Sequence, residues 1–156
     1  MVPGEIHVIW KTPRHVFVWR DDLIVQIRGE AHSVAALEAQ ETGLRLARAQ
    51  HHADVFGALL VVQADAPMPT GEVAKRQRTL VQEFVADERV RIALVLEGEG
   101  TFVSLKRTIA RGLFRGDRRV ICASVREAAR WLAGELGRPA REQEIVDFAE
   151  SLRTWR

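Results

Sequence analysis

The residues of this chain best placed to do chemistry stand where apolar runs give way to polar ones. Asp65, Thr70, Glu97, Glu99, Thr101 and Ser124 each follow a stretch with the composition of a buried strand and precede one with helical periodicity; Glu30, His32 and Ser33 hold the same relation further upstream. In an open parallel sheet the loops leaving the carboxyl ends of the strands gather on one rim, where ligands commonly sit. Several carboxylates there could hold a divalent cation through oxygen ligands and so build a metal-dependent enzyme. The plainer reading is exposed loop acids favoured by the positive ends of helix dipoles. Thr70 has two uses. As an N-cap its hydroxyl accepts from a first-turn N–H, worth about 1 kcal/mol. As a phosphoacceptor it would set about two negative charges at a favourable helix end.

The densest charge cluster is "KRTIARGLFRGDRR", residues 106–119. On a helix Arg107, Arg111 and Arg115 fall at i, i+4 and i+8, an anion-binding ridge suited to phosphates or an acidic partner, although a solvated face explains the spacing equally well. His51, His52 and Asp54 lack zinc-ligand spacing and read as a helix-end turn. Cys122 sits in an apolar strand with no His placed to activate it, so it reads as a small core residue. "EGEG", residues 97–100, has the glycines of an anion cradle but the wrong charges for phosphate. No P-loop, dinucleotide fingerprint or nucleophile elbow is present. The expectation is a non-catalytic chain without a cofactor or bound metal.

These residues depend on the elements that carry them. Residues 15–20 and 23–28 read as two strands joined by the two-residue connection Asp21-Asp22, with alternation in Phe17/Trp19 and in Ile24/Gln26 against Leu23/Val25/Ile27, the pattern of an antiparallel hairpin. A helix is expected over 34–50, with Ser33 as N-cap and Val34, Leu37, Leu44 and Ala47 inward. A buried strand over 55–62 follows, then a helix from Thr70 to about 86 with Val73, Leu80 and Phe84 inward. Next come a strand over 90–96, a helix over 101–114 carrying Phe102, Leu105, Ile109 and Leu113, and a strand over 119–123. Ser124 caps a helix with Val125, Ala128, Leu132 and Leu136 inward, broken by Gly137 and Pro139 before a last amphipathic helix over 140–153. Residues 6–10 add a short strand or stay loosely attached.

Such alternation predicts an α/β fold: a mixed, mostly parallel sheet with an antiparallel N-terminal hairpin and helices packed on it. At 156 residues, 47% apolar and 28% charged, one soluble domain is expected, with residues 1–14 as an extension and 140–153 as an additional helix. A net charge of +2 is a weak argument for nucleic acid. Neither a secretory signal nor an apolar run long enough to span a bilayer is present, and the single cysteine is compatible with a reducing compartment, so a cytoplasmic location is expected.

The order of elements, together with "WRDDLIVQIRGE", "VVQADAP" and "REAARWL", resembles the STAS domains, the anti-sigma-factor antagonist-like group, and in particular the bacterial stand-alone branch related to lipid-transfer domains. The likeness spans about residues 15–136. It implies a non-enzymatic regulatory or scaffold module in bacterial signalling that binds a protein partner and in some members nucleotides or lipids. In that group a Ser or Thr after the third strand is phosphorylated within an Asp-Ser-Ser-Gly-like phrase; here residues 65–71 match the region, lack the phrase and offer Thr70 alone. The rival expectation is a carrier or sensor of a small amphiphile, held between the sheet and a movable pair of helices, 101–114 and 140–153. A homodimer through the last helix is the remaining association considered.

Overall fold

The computed structural model describes residues 4–50, 55–99, 101–113 and 116–155, without the side chains of Thr101, Phe102, Leu105, Ile109 and Leu113. Six strands form one sheet in sequence order: β1 (His7–Thr12), β2 (His15–Arg20), β3 (Leu23–Arg28), β4 (Phe56–Val62), β5 (Val90–Leu96) and β6 (Arg119–Cys122). β1, β2 and β3 pair antiparallel, and β3 to β6 pair parallel. The hairpin turn works because Asp21 takes a left-handed backbone, φ 50°, which Asp tolerates better than most residues. Residues 7–12 are integral to the sheet: β1 is its edge strand, bulged between Val8 and Trp10.

Helices α1 (Val34–Gln50), α2 (Gly71–Val85) and α3 (Thr101–Leu113) connect successive parallel strands; α4 (Val125–Glu135), a 3-10 turn at Pro139–Arg141 and α5 (Glu142–Arg153) follow β6. Right-handed crossovers between strands laid down in consecutive order all fall on the same face. The packing follows that rule. One face of the sheet joins Phe17, Ile24, Phe56 and Ile92 with Leu44 of α1 and Phe84 of α2, and Leu94 and Leu96 with Ala110 of α3. The alternate residues Val18, Val25, Leu59, Ala93 and Val95 meet Leu132 of α4 and Ile145 and Phe148 of α5. The expected pairing of the helices over 101–114 and 140–153 is therefore not formed, because α3 and α5 lie on opposite faces of the sheet.

The inward faces differ in part from expectation. Leu37, Leu44 and Ala47 are buried, but Val34 is 42% exposed at the start of α1. Along α2 only Phe84 is buried, with Val73 and Leu80 half-buried. Ser124 caps α4, accepting from Glu127 N–H at 3.2 Å, while the Glu127 carboxylate accepts from Ala123 N–H at 3.0 Å. Ser33 likewise caps α1, accepting from Ala36 N–H at 3.1 Å. Thr70 stands at the N-cap position of α2 but makes no side-chain cap hydrogen bond. Gly71 supplies the reason: its φ of +59° is not helical, so the first turn does not present its N–H groups as a cap requires. Ser124→Ala should cost about 1 kcal/mol and Thr70→Ala next to nothing; denaturant unfolding of the two variants side by side checks this.

Candidate functional site

Because α2 buries so little of itself, it stands off the sheet. Beneath it and α3 lies a cavity of about 380 Å³. Its floor is Leu60 and Val62 of β4 with Leu94 and Leu96 of β5; Val81 and Val85 of α2 and Ala110 of α3 form the walls, and Met68 and Pro69 of the β4–α2 loop lie at one end. Both volume and lining fall within the range of small-molecule sites, which are mostly apolar with a few placed polar groups.

The placed polar groups are basic. Among the described lining residues Arg28, Arg78, Lys106 and Arg119 carry cationic side chains, and there is no acid. Arg28, at the carboxyl end of β3, is only 3% exposed. Its Nη1 donates to the carbonyls of Glu30 at 2.8 Å and Pro67 at 3.2 Å, and it makes no ion pair with a described residue. Burial lowers its pKa to about 10. Lys106 of α3, also 3% exposed, donates to the Ala66 carbonyl at 2.6 Å. Burial and then the Arg28 charge hold the Lys106 ammonium below its ordinary value, opposed by Asp65. Taking the Arg28 guanidinium out of water without a carboxylate among the described lining residues is costly.

Two imidazoles stand behind them. His32 lines the cavity, and its ring meets that of His15 edge-on at 5.4 Å. Burial pushes His15 down to about 4, with the Arg28 charge adding to it; burial, then Arg28 and His15, push His32 down to about 3. Both rings are thus neutral near pH 7. The Nε2 of His15 lies 2.7 Å from the Gln26 amide nitrogen, and that of His32 lies 3.2 Å from the Gln77 amide nitrogen. Where these amide nitrogens donate, each Nε2 accepts and the matching tautomer carries its proton on Nδ1. Neither Nδ1 has a hydrogen-bond partner, and both are buried.

The rim residues read from the sequence are distributed differently. Asp65 pairs with Arg14 at the surface, and Glu97 takes both ends of the Arg153 guanidinium, at 2.8 and 2.7 Å. Glu30 accepts from the Thr12 hydroxyl. Glu99 and Thr70 are exposed, and Ser124 is engaged as a cap. Among the described residues no group of three or more His, Cys, Asp or Glu is placed to hold a metal ion. Of the basic ridge, Arg111 is exposed and Arg107 half-buried, its Nη2 3.4 Å from the Leu96 carbonyl; Arg115 lies outside the described residues, as do His51, His52 and Asp54. Cys122 is buried, and desolvation, with Glu127 adding to it, pushes its thiol up to about 11.

Arg28 and Lys106 were the functional candidates that sequence reasoning passed over. Ile24, Gln26 and Arg28 alternate along β3 and so share the face that a crossover helix must cover, and Val103, Lys106 and Ala110 share one side of α3 at i, i+3 and i+7. Polar residues in register with a buried stripe were the available signal. Comparison with protein-family models, with curated proteins and with solved structures finds no match. No helix among the described residues is long and apolar enough to cross a membrane.

Proposed function

We propose that this protein is a non-catalytic binding module that holds a small amphiphile in the cavity between the sheet and helices α2 and α3. The carrying observation is the cavity itself: an apolar floor and walls with buried basic groups along β3 and α3. The order of elements that resembles the STAS domains supports a regulatory setting in the bacterial cytoplasm, in which a protein partner senses whether the cavity is filled. The surface of α2 that such a partner would touch begins at Thr70, which is exposed and free of capping duty. Native mass spectrometry of the protein purified from its own host is expected to show a bound molecule of small mass. A chain that is always empty, and that no acid, alcohol or phosphate of medium chain length stabilises against heat, would sink the proposal.

A second reading, a protein-binding or self-associating scaffold, is favoured by one specific feature. Ile6, Val8, Val34 and Leu46 are the exposed large hydrophobic residues among those described. Ile6, Val8 and Leu46 line one shallow groove between β1 and α1, and Val34 stands at the start of α1 beside its Ala35 wall. Concentrated apolar exposure of this kind marks association surfaces more often than scattered exposure does. On this reading Val8→Asp with Leu46→Glu should abolish association by light scattering, and a wild type that stays monomeric at every concentration with no protein partner in pull-down opposes it.

A further inference from the structure

We infer that the cavity takes a monocarboxylate of medium chain length, its carboxylate on Arg28 and His32 and its chain over Leu60 and Leu94. This rests on the small-amphiphile reading and specifies the ligand's polar end. Arg28 is the anchor. Its Nη1 is committed to the Glu30 and Pro67 carbonyls, which holds the guanidinium plane in place. The Nε–H and the Nη2 donors make no hydrogen bond to a described residue, although the side chain lines the cavity. Those donors form one edge of the fork, the geometry that meets the two oxygens of a carboxylate side by side.

His32 supplies the second donor. Its Nδ1 is buried and lacks a partner, and it carries the proton in the tautomer whose Nε2 accepts from Gln77. A buried donor left unmade is unfavourable; the atom is closed off from the cavity, so a ligand oxygen satisfies it once the His32 ring turns toward the cavity. Lys106 adds positive charge from the facing helix while its ammonium holds the Ala66 carbonyl. No acid among the described lining residues opposes an anion.

The donor count separates the candidate head groups. A carboxylate brings two oxygens, which one guanidinium edge and one imidazole N–H serve. A phosphate monoester brings three terminal oxygens and up to two charges, more than these donors satisfy in an apolar enclosure. Size limits the chain: about 380 Å³ has room for on the order of a dozen heavy atoms at roughly 30 Å³ each. Decanoate fits that limit and is ionised at neutral pH.

The test is calorimetric titration of the full chain at pH 7 with decanoate, 1-decanol and decyl phosphate. Decanoate is expected to bind at least tenfold more tightly than either of the others. Arg28→Gln should bring the acid-to-alcohol ratio close to one, and Arg28→Lys, which keeps the charge but loses the fork, should fall between. The wild-type comparison needs no variant, so it decides the matter even where Arg28→Gln fails to fold. Equal binding of decanoate and decanol, or preference for decyl phosphate, overturns the carboxylate assignment while the amphiphile reading stands. Binding of none of the three overturns both.

Discussion

Removal of residues 141–156 is expected to leave a chain that aggregates or unfolds without a cooperative transition. α5 is a layer of the core: Ile145 and Ala149 are fully buried, Leu152 is 2% exposed and Phe148 4% exposed. They cover Val18, Val25 and their neighbours on the sheet face that α4 does not close alone. At about 1.5–3 kcal/mol for each large side chain, uncovering three of them and the facing strand residues approaches the 5–15 kcal/mol that holds a typical domain together. Polar contacts tie the same element down at both ends. Arg141 donates to Asp22 in the β2–β3 turn at 2.8 Å, and Arg153 grips Glu97 after β5. The Arg20 guanidinium lies 3.7 Å from the centre of the Phe148 ring. Urea unfolding followed by circular dichroism, with light scattering on the same samples, checks the outcome. A truncated chain that stays soluble and melts cooperatively would make α5 an appendage available for dimerisation, contrary to its burial.

The elements legible in the sequence were those whose pattern is local. The two-residue polar connection Asp21-Asp22 between apolar segments specifies the hairpin, and the apolar runs of β4 and β5, like β2 and β3, form strands covered on both faces. The Ile145, Phe148 and Leu152 spacing likewise marks the buried side of α5. What the pattern does not carry is the relation between distant elements. Strand order decides that α1, α2 and α3 share a face, and that decision lies in non-local pairing. It is the same decision that separates α3 from α5 and creates the cavity under α2. Thr70 illustrates a smaller failure: a favourable residue type at a helix start does not cap when the next residue, Gly71, leaves the helical region. Lys106 illustrates another. Inside a run of basic residues it reads as surface, yet its side chain is directed inward with Val103 and Ala110 and ends on the Ala66 carbonyl.

Lowering the pH from 6.5 to 4.5 is expected to destabilise the protein by about 4 kcal/mol, through His15 and His32. Both are held below the ordinary imidazole value of 6.5, at about 4 and about 3, so between pH 6.5 and 4 the unfolded chain binds protons that the folded one does not. Stability from these groups is therefore fully present above pH 6.5 and is lost as the pH falls toward the folded values. Each group contributes a slope of about 1.4 kcal/mol per pH unit in that window. Asp87 acts in a separate window. Hydrogen bonding by Arg89 holds its carboxyl at about 2 against an ordinary 3.8, so its loss falls below pH 4. Urea midpoints at half-unit intervals from pH 7 to 4.5 measure the slope, and His15→Gln and His32→Gln should each remove about half of it. A midpoint unchanged across that range would mean that neither imidazole is buried as described. Ligand adds a further distinction, because a carboxylate beside His32 would oppose the Arg28 charge and raise the imidazole pKa. With decanoate present the loss on acidification should still begin near pH 6.5, where the unfolded imidazole protonates, but level off at a higher pH and be smaller in total, and only in chains that keep His32.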